Sequence, residues 1–381
     1  MNSAPGAPSV SSPEEDEALM GEALAVGQLG LGRTWPNPSV GAVVVRQTSS
    51  GPQILGRAGT APAGRPHAEP LALAQAGDAA RGATLYVTLE PCSHYGRTPP
   101  CADAVIAAGI TRVVAAIEDP DPRVRGRGVA RMRAAGLWVT VGVGAERALE
   151  DHAGHIRRVT RGRPHVMLKM AISADGKVGL VGPQPRAITG EEARARVHAM
   201  RAQADAILVG IGTVLADDPR LTSRVPGLED RSPLRVVLDS DLRLAVTSTL
   251  VRTAAQVPVW VICAEDAPAD REKALVDLGV EVLRAPRTAA GGLDLAAVTK
   301  LLGLLGVTRL MVEGGPHVAA AFLEAGLVDE VTVLQSPDTV GESGIPALPG
   351  RPLSRLLEPV GFAVVERASL GRDRLTRLWR H

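Results

Sequence analysis

At 381 residues, 45% of them hydrophobic, the chain is long enough for two domains with separate cores, yet no apolar run approaches the roughly 20 residues of a membrane span. A net charge of +1 argues against a nucleic-acid binder, which usually carries a basic surplus. Three cysteines without a pairing pattern fit a reducing cytoplasm rather than a disulfide framework.

Residues 1–13 are rich in Ser, Pro, Gly and Ala and read as a disordered tail, without the basic and apolar regions of a signal peptide. A helix is expected over 14–32, acidic in its first turn and ending in glycines. Prolines stiffen the loop on either side of Asn37, which the pattern alone leaves as a turn residue or a binding group. The apolar run 40–45 predicts a buried strand, with 54–58 as its hairpin partner. A helix over 67–79 starts at His67 and Glu69; Pro70 falls in its first turn, where a missing N–H is tolerated. Strands over 84–89, 111–117 and 137–141 alternate with helices over 101–108 and 128–135, giving an α/β/α sandwich for a first domain of residues 14–144. Residues 145–164 read as a charged helical connector. Its His152 and His155 lack a third ligand nearby and are expected on a solvated face.

From 165 onward, strands over 165–171, 206–210, 235–239, 257–263, 280–283, 309–313 and 330–335 alternate with helices over 191–203, 270–278, 293–305 and 316–325. That alternation implies a second α/β domain, residues 165–381, with a mostly parallel sheet covered on both faces. Residues 375–379 are expected as a closing antiparallel strand.

The chemistry of the first half gathers between His67 and Cys101. His67, Cys92 and Cys101 are the three ligands a tetrahedral catalytic zinc needs, one metal per chain, with the fourth position left for water. Glu69, two residues after the histidine, is a carboxylate outside the ligand set that can move protons. This is the layout of zinc-dependent nucleobase deaminases, except that eight residues separate the cysteines where Cys-x-x-Cys is usual. In the second half no Gly-x-Gly-x-x-Gly fingerprint is present. The strand ending at Glu313 runs through Gly314-Gly315 into a helix with Pro316 in its first turn, a turn whose backbone N–H groups suit a phosphate.

His67-Ala68-Glu69 and Thr88-Leu89-Glu90-Pro91-Cys92-Ser93-His94-Tyr95-Gly96-Arg97-Thr98-Pro99-Pro100-Cys101 together resemble the deaminase half of the bifunctional pyrimidine deaminase/reductase family of riboflavin biosynthesis. In that family the long loop between the cysteines belongs to the substrate pocket. Three segments of the second half resemble the family's reductase: Leu168-Lys169-Met170-Ala171 with Ser173, Asp175, Gly176 and Lys177; Gly212-Thr213-Val214-Leu215-Ala216-Asp217-Asp218-Pro219 with Leu221 and Thr222; and Val312-Glu313-Gly314-Gly315-Pro316. The resemblance covers nearly the whole chain after the tail and weakens between 240 and 299. It implies a cytidine-deaminase-like α/β/α sandwich followed by a dihydrofolate-reductase-like α/β domain that uses NADPH.

Residue by residue, the resemblance implies that Asn37, His94, Arg97 and Thr98 bind the pyrimidine substrate. It places Arg201, Leu221, Arg224 and Glu313 at the ribosyl phosphate. It places Ala171, Ala187, Thr213, Asp217, Ser240, Gly315, Pro316 and His317 at the cofactor, although Ala187 stands where the family usually carries Trp. Two arginines suit a bidentate phosphate clamp, whereas from the residues alone Arg201 reads as an exposed helical charge. The expected partner is a small pyrimidine ribosyl phosphate, with neither nucleic acid nor membrane, in a cytoplasmic homo-oligomer, dimer or tetramer. The expected reactions are hydrolytic deamination, with Glu69 carrying the proton from water to the pyrimidine and the departing ammonia, and then hydride transfer from NADPH that opens the ribosyl group to ribityl. The rival reading is a nucleic-acid base deaminase whose second half is a non-catalytic dimerisation module.

Overall fold

Ser12 begins the ordered fold of the first half. Its hydroxyl accepts the Glu15 N–H at 3.2 Å and its own N–H donates to Glu15 Oε2 at 3.1 Å, a capping box that starts helix α1 (Pro13–Gln28) with Pro13 in the first turn. The computed structural model describes residues 11–96, 99–180, 187–228 and 230–380. Its contacts divide between Gly162 and Arg163 into two units, each with its own hydrophobic core.

The first unit is a five-stranded sheet in the order β2-β1-β3-β4-β5, formed by β1 (Gly41–Thr48), β2 (Gly51–Gly59), β3 (Thr84–Val87), β4 (Arg112–Ala115) and β5 (Trp138–Val141). β1 is antiparallel to β2 and β3, while β3, β4 and β5 run parallel. The run Gly41–Val45 is buried throughout because α1 and α2 (Ala68–Ala76) pack on it, while α3 (Cys101–Ala107) packs on α2 and α4 (Arg127–Ala134) on α3 and β5. α1 lies so close to β1 that a Cβ at Gly41 would collide with the Ala23 carbonyl oxygen, which is why glycine stands there. Helices α5 (Ala145–Asp151) and α6 (Ala153–Arg161) complete the unit.

Two expectations are corrected here. The tail was drawn through Pro13, but Ser11 is only 6% exposed and its hydroxyl bonds Asp16 at 2.6 Å. A polar segment is held because Asp16, Arg112, Tyr86 and Ser11 satisfy one another; Arg112 Nη2 reaches Asp16 Oδ2 at 2.6 Å. The residues said to form a solvated connector face are also inside: His152 is 1% and His155 8% exposed. A charged helix can bury two imidazoles where polar groups elsewhere in the fold meet them.

The second unit holds a nine-stranded sheet in the order β11-β10-β9-β8-β12-β6-β13-β16-β15. In chain order its elements are β6 (His165–Ile172), β7 (Lys177–Leu180), α7 (Glu191–Ala202), β8 (Ala206–Gly210), α8 (Ile211–Asp217), β9 (Leu234–Leu238), α9 (Thr249–Arg252), β10 (Val259–Ala264), α10 (Ala269–Val276), β11 (Glu281–Ala285), α11 (Leu295–Leu304), β12 (Arg309–Gly314), α12 (Pro316–Glu324), β13 (Glu330–Gln335), β14 (Gly344–Pro346), α13 (Ser354–Leu357), β15 (Phe362–Leu370) and β16 (Asp373–Arg380). Neighbours from β11 to β13 pair in parallel, and β16 and β15 add antiparallel strands. The closing strand expected at 375–379 is β16, but β15 lies outside it as the edge. β7 and β14, which the sequence pattern did not announce, form a separate two-stranded ribbon. The parallel order puts the carboxyl ends of β8, β12, β6 and β9 along one edge, where an open α/β sheet binds ligands.

Asp16→Ala leaves the Arg112 guanidinium, 8% exposed, without its carboxylate. The expected cost is about 3–5 kcal/mol, the usual penalty for an uncompensated buried charge. Chemical denaturation followed by Trp fluorescence checks this, and an unchanged midpoint would show that the network is ornamental.

Candidate functional site

β3 ends at Val87 and the chain leaves the sheet through Thr88–Cys92 toward α2 and α3. His67 is the N-cap of α2 and Cys101 opens α3, so two helix starts and one strand exit meet. His67 Nδ1 lies 3.3 Å from Cys101 Sγ and 3.8 Å from Cys92 Sγ, and the three ligand atoms all lie within 4.8 Å of one another. A tetrahedral zinc with its usual Zn–N and Zn–S bonds sets adjacent ligand atoms about 3.6 Å apart, so the set fits that ion without rearrangement. No other cluster of this kind occurs among the described residues.

The electrostatics suit a cation at the same point. The Cys101 N–H donates to Cys92 Sγ at 3.3 Å. Hydrogen bonding from Cys101 and from His67 brings the Cys92 thiol down to about 4, while the same contact with Cys92 drives Cys101 far up. His67 is raised by its bond to Cys92. Metal binding takes deprotonated sulfur and neutral imidazole, so it is linked to proton release at this cluster. Glu69 is 3% exposed; burial first, then the Cys92 thiolate, push it up to about 7 against the pull of His67.

The expected substrate residues of this half are partly gathered. Asn37 sits in its proline loop with Nδ2 donating to the Gly64 carbonyl at 2.9 Å, which fixes the carboxamide. His94 is half-buried, stands outside the metal cluster, and its Nδ1 is buried without a hydrogen-bond partner in the described structure. Arg97 and Thr98 lie outside the described residues.

In the second unit, the turns after β8 and β12 are neighbours. Thr213 Oγ1 donates to the Gly314 carbonyl at 3.3 Å, and Gly315 has φ +29° with the Thr213 hydroxyl 2.9 Å from where a Cβ would stand. Only glycine suits that turn, which feeds α12 with Pro316 at its start. A glycine turn of this kind at a helix N-terminus fits the phosphates of a dinucleotide. Ala171 ends β6 one strand over, Ser240 follows β9, and Asp217 and His317 are exposed at the end of α8 and the start of α12. Ala187 is exposed, and its neighbours 181–186 lie outside the described residues.

Glu313 closes the other side of this edge. Arg201 grips it bidentately, Nε to Oε1 at 2.5 Å and Nη2 to Oε2 at 2.9 Å, and donates Nη1 to the Thr222 carbonyl at 3.1 Å. Lys169 Nζ adds a contact at 3.4 Å. Burial works to raise Glu313, but Lys169 and Arg201 outweigh it and hold the carboxyl at about 2. The exposed-charge reading of Arg201 thus fails, because its side chain is 12% exposed. Most of its fork is already spent on Glu313, so it orders the site more than it waits for a phosphate. Arg224 is exposed, and burial followed by Arg201 and Arg224 pushes His198 down, a crowding of basic groups that favours an anion. Leu221 is buried and has φ +55°, in the left-handed region. Lys169, one of only four lysines in the chain, belongs to this cluster, and the parallel register of β6 beside β12 brings it to Glu313.

Two family models match the chain: the cytidine and deoxycytidylate deaminase zinc-binding region over residues 13–117, and the RibD C-terminal domain over 164–366. The riboflavin biosynthesis protein RibD of Aquifex aeolicus is 41% identical over 86% of this chain and 89% of its own length. That of Escherichia coli is 39% identical over 94% and 98%. Among solved structures, Acinetobacter baumannii RibD superposes with a TM-score of 0.84 at 34% identity, covering 97% of this chain and all of its own. The diaminohydroxyphosphoribosylaminopyrimidine deaminase/5-amino-6-(5-phosphoribosylamino)uracil reductase of Thermotoga maritima gives 0.82 at the same identity, covering 97% and 99%. A zinc deaminase and a reductase that uses NADPH are therefore joined in one polypeptide, and the chain belongs to the RibD family of bifunctional riboflavin biosynthesis enzymes.

Proposed function

We propose that the first unit deaminates 2,5-diamino-6-(5-phosphoribosylamino)pyrimidin-4-one and that the second reduces the ribosyl group of the product to ribityl. One observation carries the reading: three ligand atoms within 4.8 Å of one another beside the buried Glu69 carboxyl. His67, Cys92 and Cys101 would hold the zinc. Bound there, zinc supplies a Lewis acid that makes water a nucleophile near neutral pH. Glu69 would take one proton from the attacking water and pass it to the ring nitrogen, then move the proton of the hydroxyl so added to the amino group, which leaves as ammonia while the carbonyl forms. Asn37 and His94 orient the pyrimidine, with Arg97 and Thr98 on the loop between the cysteines.

In the second unit, Gly315, Pro316, His317 and Thr213 would receive the cofactor phosphates, with Ala171, Ala187, Asp217 and Ser240 along the rest of the dinucleotide. NADPH supplies the hydride. Arg224, Arg201, Glu313 and the Leu221 backbone would seat the ribosyl phosphate, Arg201 chiefly by fixing Glu313. Residues 11–162 then form the deaminase domain and 163–381 the reductase, α5 and α6 belonging to the former. We place the enzyme in the cytoplasm as a homo-oligomer; no helix of the described residues is long and apolar enough to cross a membrane.

Purified protein should carry about one zinc per chain, and Cys92→Ser or Cys101→Ser should remove it. Metal analysis checks this; full retention in both variants refutes the ligand set. Glu69→Gln should keep zinc yet lose deamination by at least ~10²-fold, while the reductase still turns over pre-deaminated substrate. Parallel loss of both activities would break the two-site reading. Gly315→Val should raise the Michaelis constant for NADPH on the order of tenfold or more, since a side chain displaces backbone from the phosphate. Deamination should be unaffected, and unaltered NADPH kinetics in the folded variant would put the cofactor elsewhere.

A further inference from the structure

β3 ends at Val87, and the exit that carries Cys92 keeps only scattered backbone bonds, Thr88 N–H to the Gly41 carbonyl, Glu90 N–H to the Ile117 carbonyl and the Cys92 carbonyl to Ala102 N–H, so side-chain bonds share the work of fixing it. Thr88, 1% exposed, accepts the Gly41 N–H at 3.0 Å through Oγ1, and the same hydroxyl is 3.0 Å from His152 Nε2. Glu90, 3% exposed, gathers three backbone donors: Asp119 N at 3.2 Å, Gly126 N at 2.9 Å and Val129 N at 3.0 Å. It thereby stands in for the missing side-chain cap of α4, which begins after Gly126. Asp119 in turn binds His155 Nε2 at 2.9 Å. A Cβ at Gly128 would collide with the Pro91 carbonyl oxygen, so α4 presses directly on the residue before Cys92.

Both ends of the exit thus lead to α6. His152 caps this helix and His155 lies three residues on, on the same face. Burial alone would be met by leucine at either place. A buried imidazole is tolerated only with its hydrogen bond made, so the residue type points to the bond. Helix α6 lies beyond the stretch that matches the deaminase zinc-binding region, residues 13–117, and nothing in that match asks for it.

We infer that α6 is the rear scaffold of the metal centre: His152 and His155 are positioning residues that, through Thr88 and through Asp119 with Glu90, fix the Thr88–Cys92 exit and so the placement of the Cys92 sulfur. The inference rests on the zinc-ligand reading. Partners behind metal ligands typically change metal affinity or activity by about 10–100-fold, and a scaffold one step further back acts at the low end of that range.

The test uses the full-length protein in zinc and cobalt forms, with His155→Leu, which keeps bulk without the bond, and His155→Gln, which keeps a donor near the ε position. His155→Leu should release zinc to a chromophoric chelator about tenfold faster and shift the ligand-field bands of the cobalt form. Its deamination kcat should fall with little change in KM, and its NADPH-dependent reductase rate should stay put. His155→Gln should restore most of each. If His155→Leu does not fold, the same pair at His152 decides. Leu and Gln variants alike in both zinc release and cobalt spectrum, or Leu variants equal to the parent, overturn the inference. If zinc is still lost in Cys92→Ser, that failure leaves the ligand reading intact; zinc retained in both cysteine variants overturns the ligand reading itself.

Discussion

Two sulfurs, an imidazole and a carboxyl crowd one buried point, and the first unit is arranged around the need to bring them there. Unscreened, such a group resists convergence: Glu69 is pushed up by burial and the Cys92 charge, and one sulfur stays protonated. Two helix starts aim backbone N–H groups and the positive ends of their dipoles at the site, and the Cys101 N–H lies on Cys92. A dication completes the balance. The close seating of α1 on β1 and the anchored exit after β3 are the mechanical side of the same constraint, because ligand atoms must stand within a few tenths of an ångström of their places.

The second unit meets a comparable difficulty with the opposite sign. Glu313 is buried beside Lys169 and Arg201, and the two cations more than offset its desolvation. The outcome is a rigid carboxylate at the carboxyl edge of a parallel sheet, next to the glycine turn. Arg201, an apparent surface charge on a helix rich in charge, turns out to be the clamp on that carboxylate.

Much of this was legible in the sequence. The strand at 206–210 sits where its apolar run puts it, since a buried parallel strand must be apolar on both faces. The His67, Glu69, Cys92 and Cys101 set was legible because metal chemistry restricts residue types more than packing does. β15 was not, because an edge strand half open to water mixes Val with Glu and Arg and shows no clean alternation. The tail was overdrawn at Ser11 and Ser12, where composition suggests disorder but a capping box and Asp16 supply partners.

What the sequence determined by itself is the set of candidate groups, His67, Cys92 and Cys101 with Glu69, and the Gly314-Gly315 turn, since each is recognised by residue type and short spacing. Tertiary structure alone decided which of the remaining polar residues serve those sites. His152 meets Thr88 across 64 positions, His155 meets Asp119 across 36, and Arg201 meets Glu313 across 112. No local period encodes such pairings. They follow from the order of strands in two sheets, and a buried hydrogen bond is fixed only when both partners have been carried to the same place.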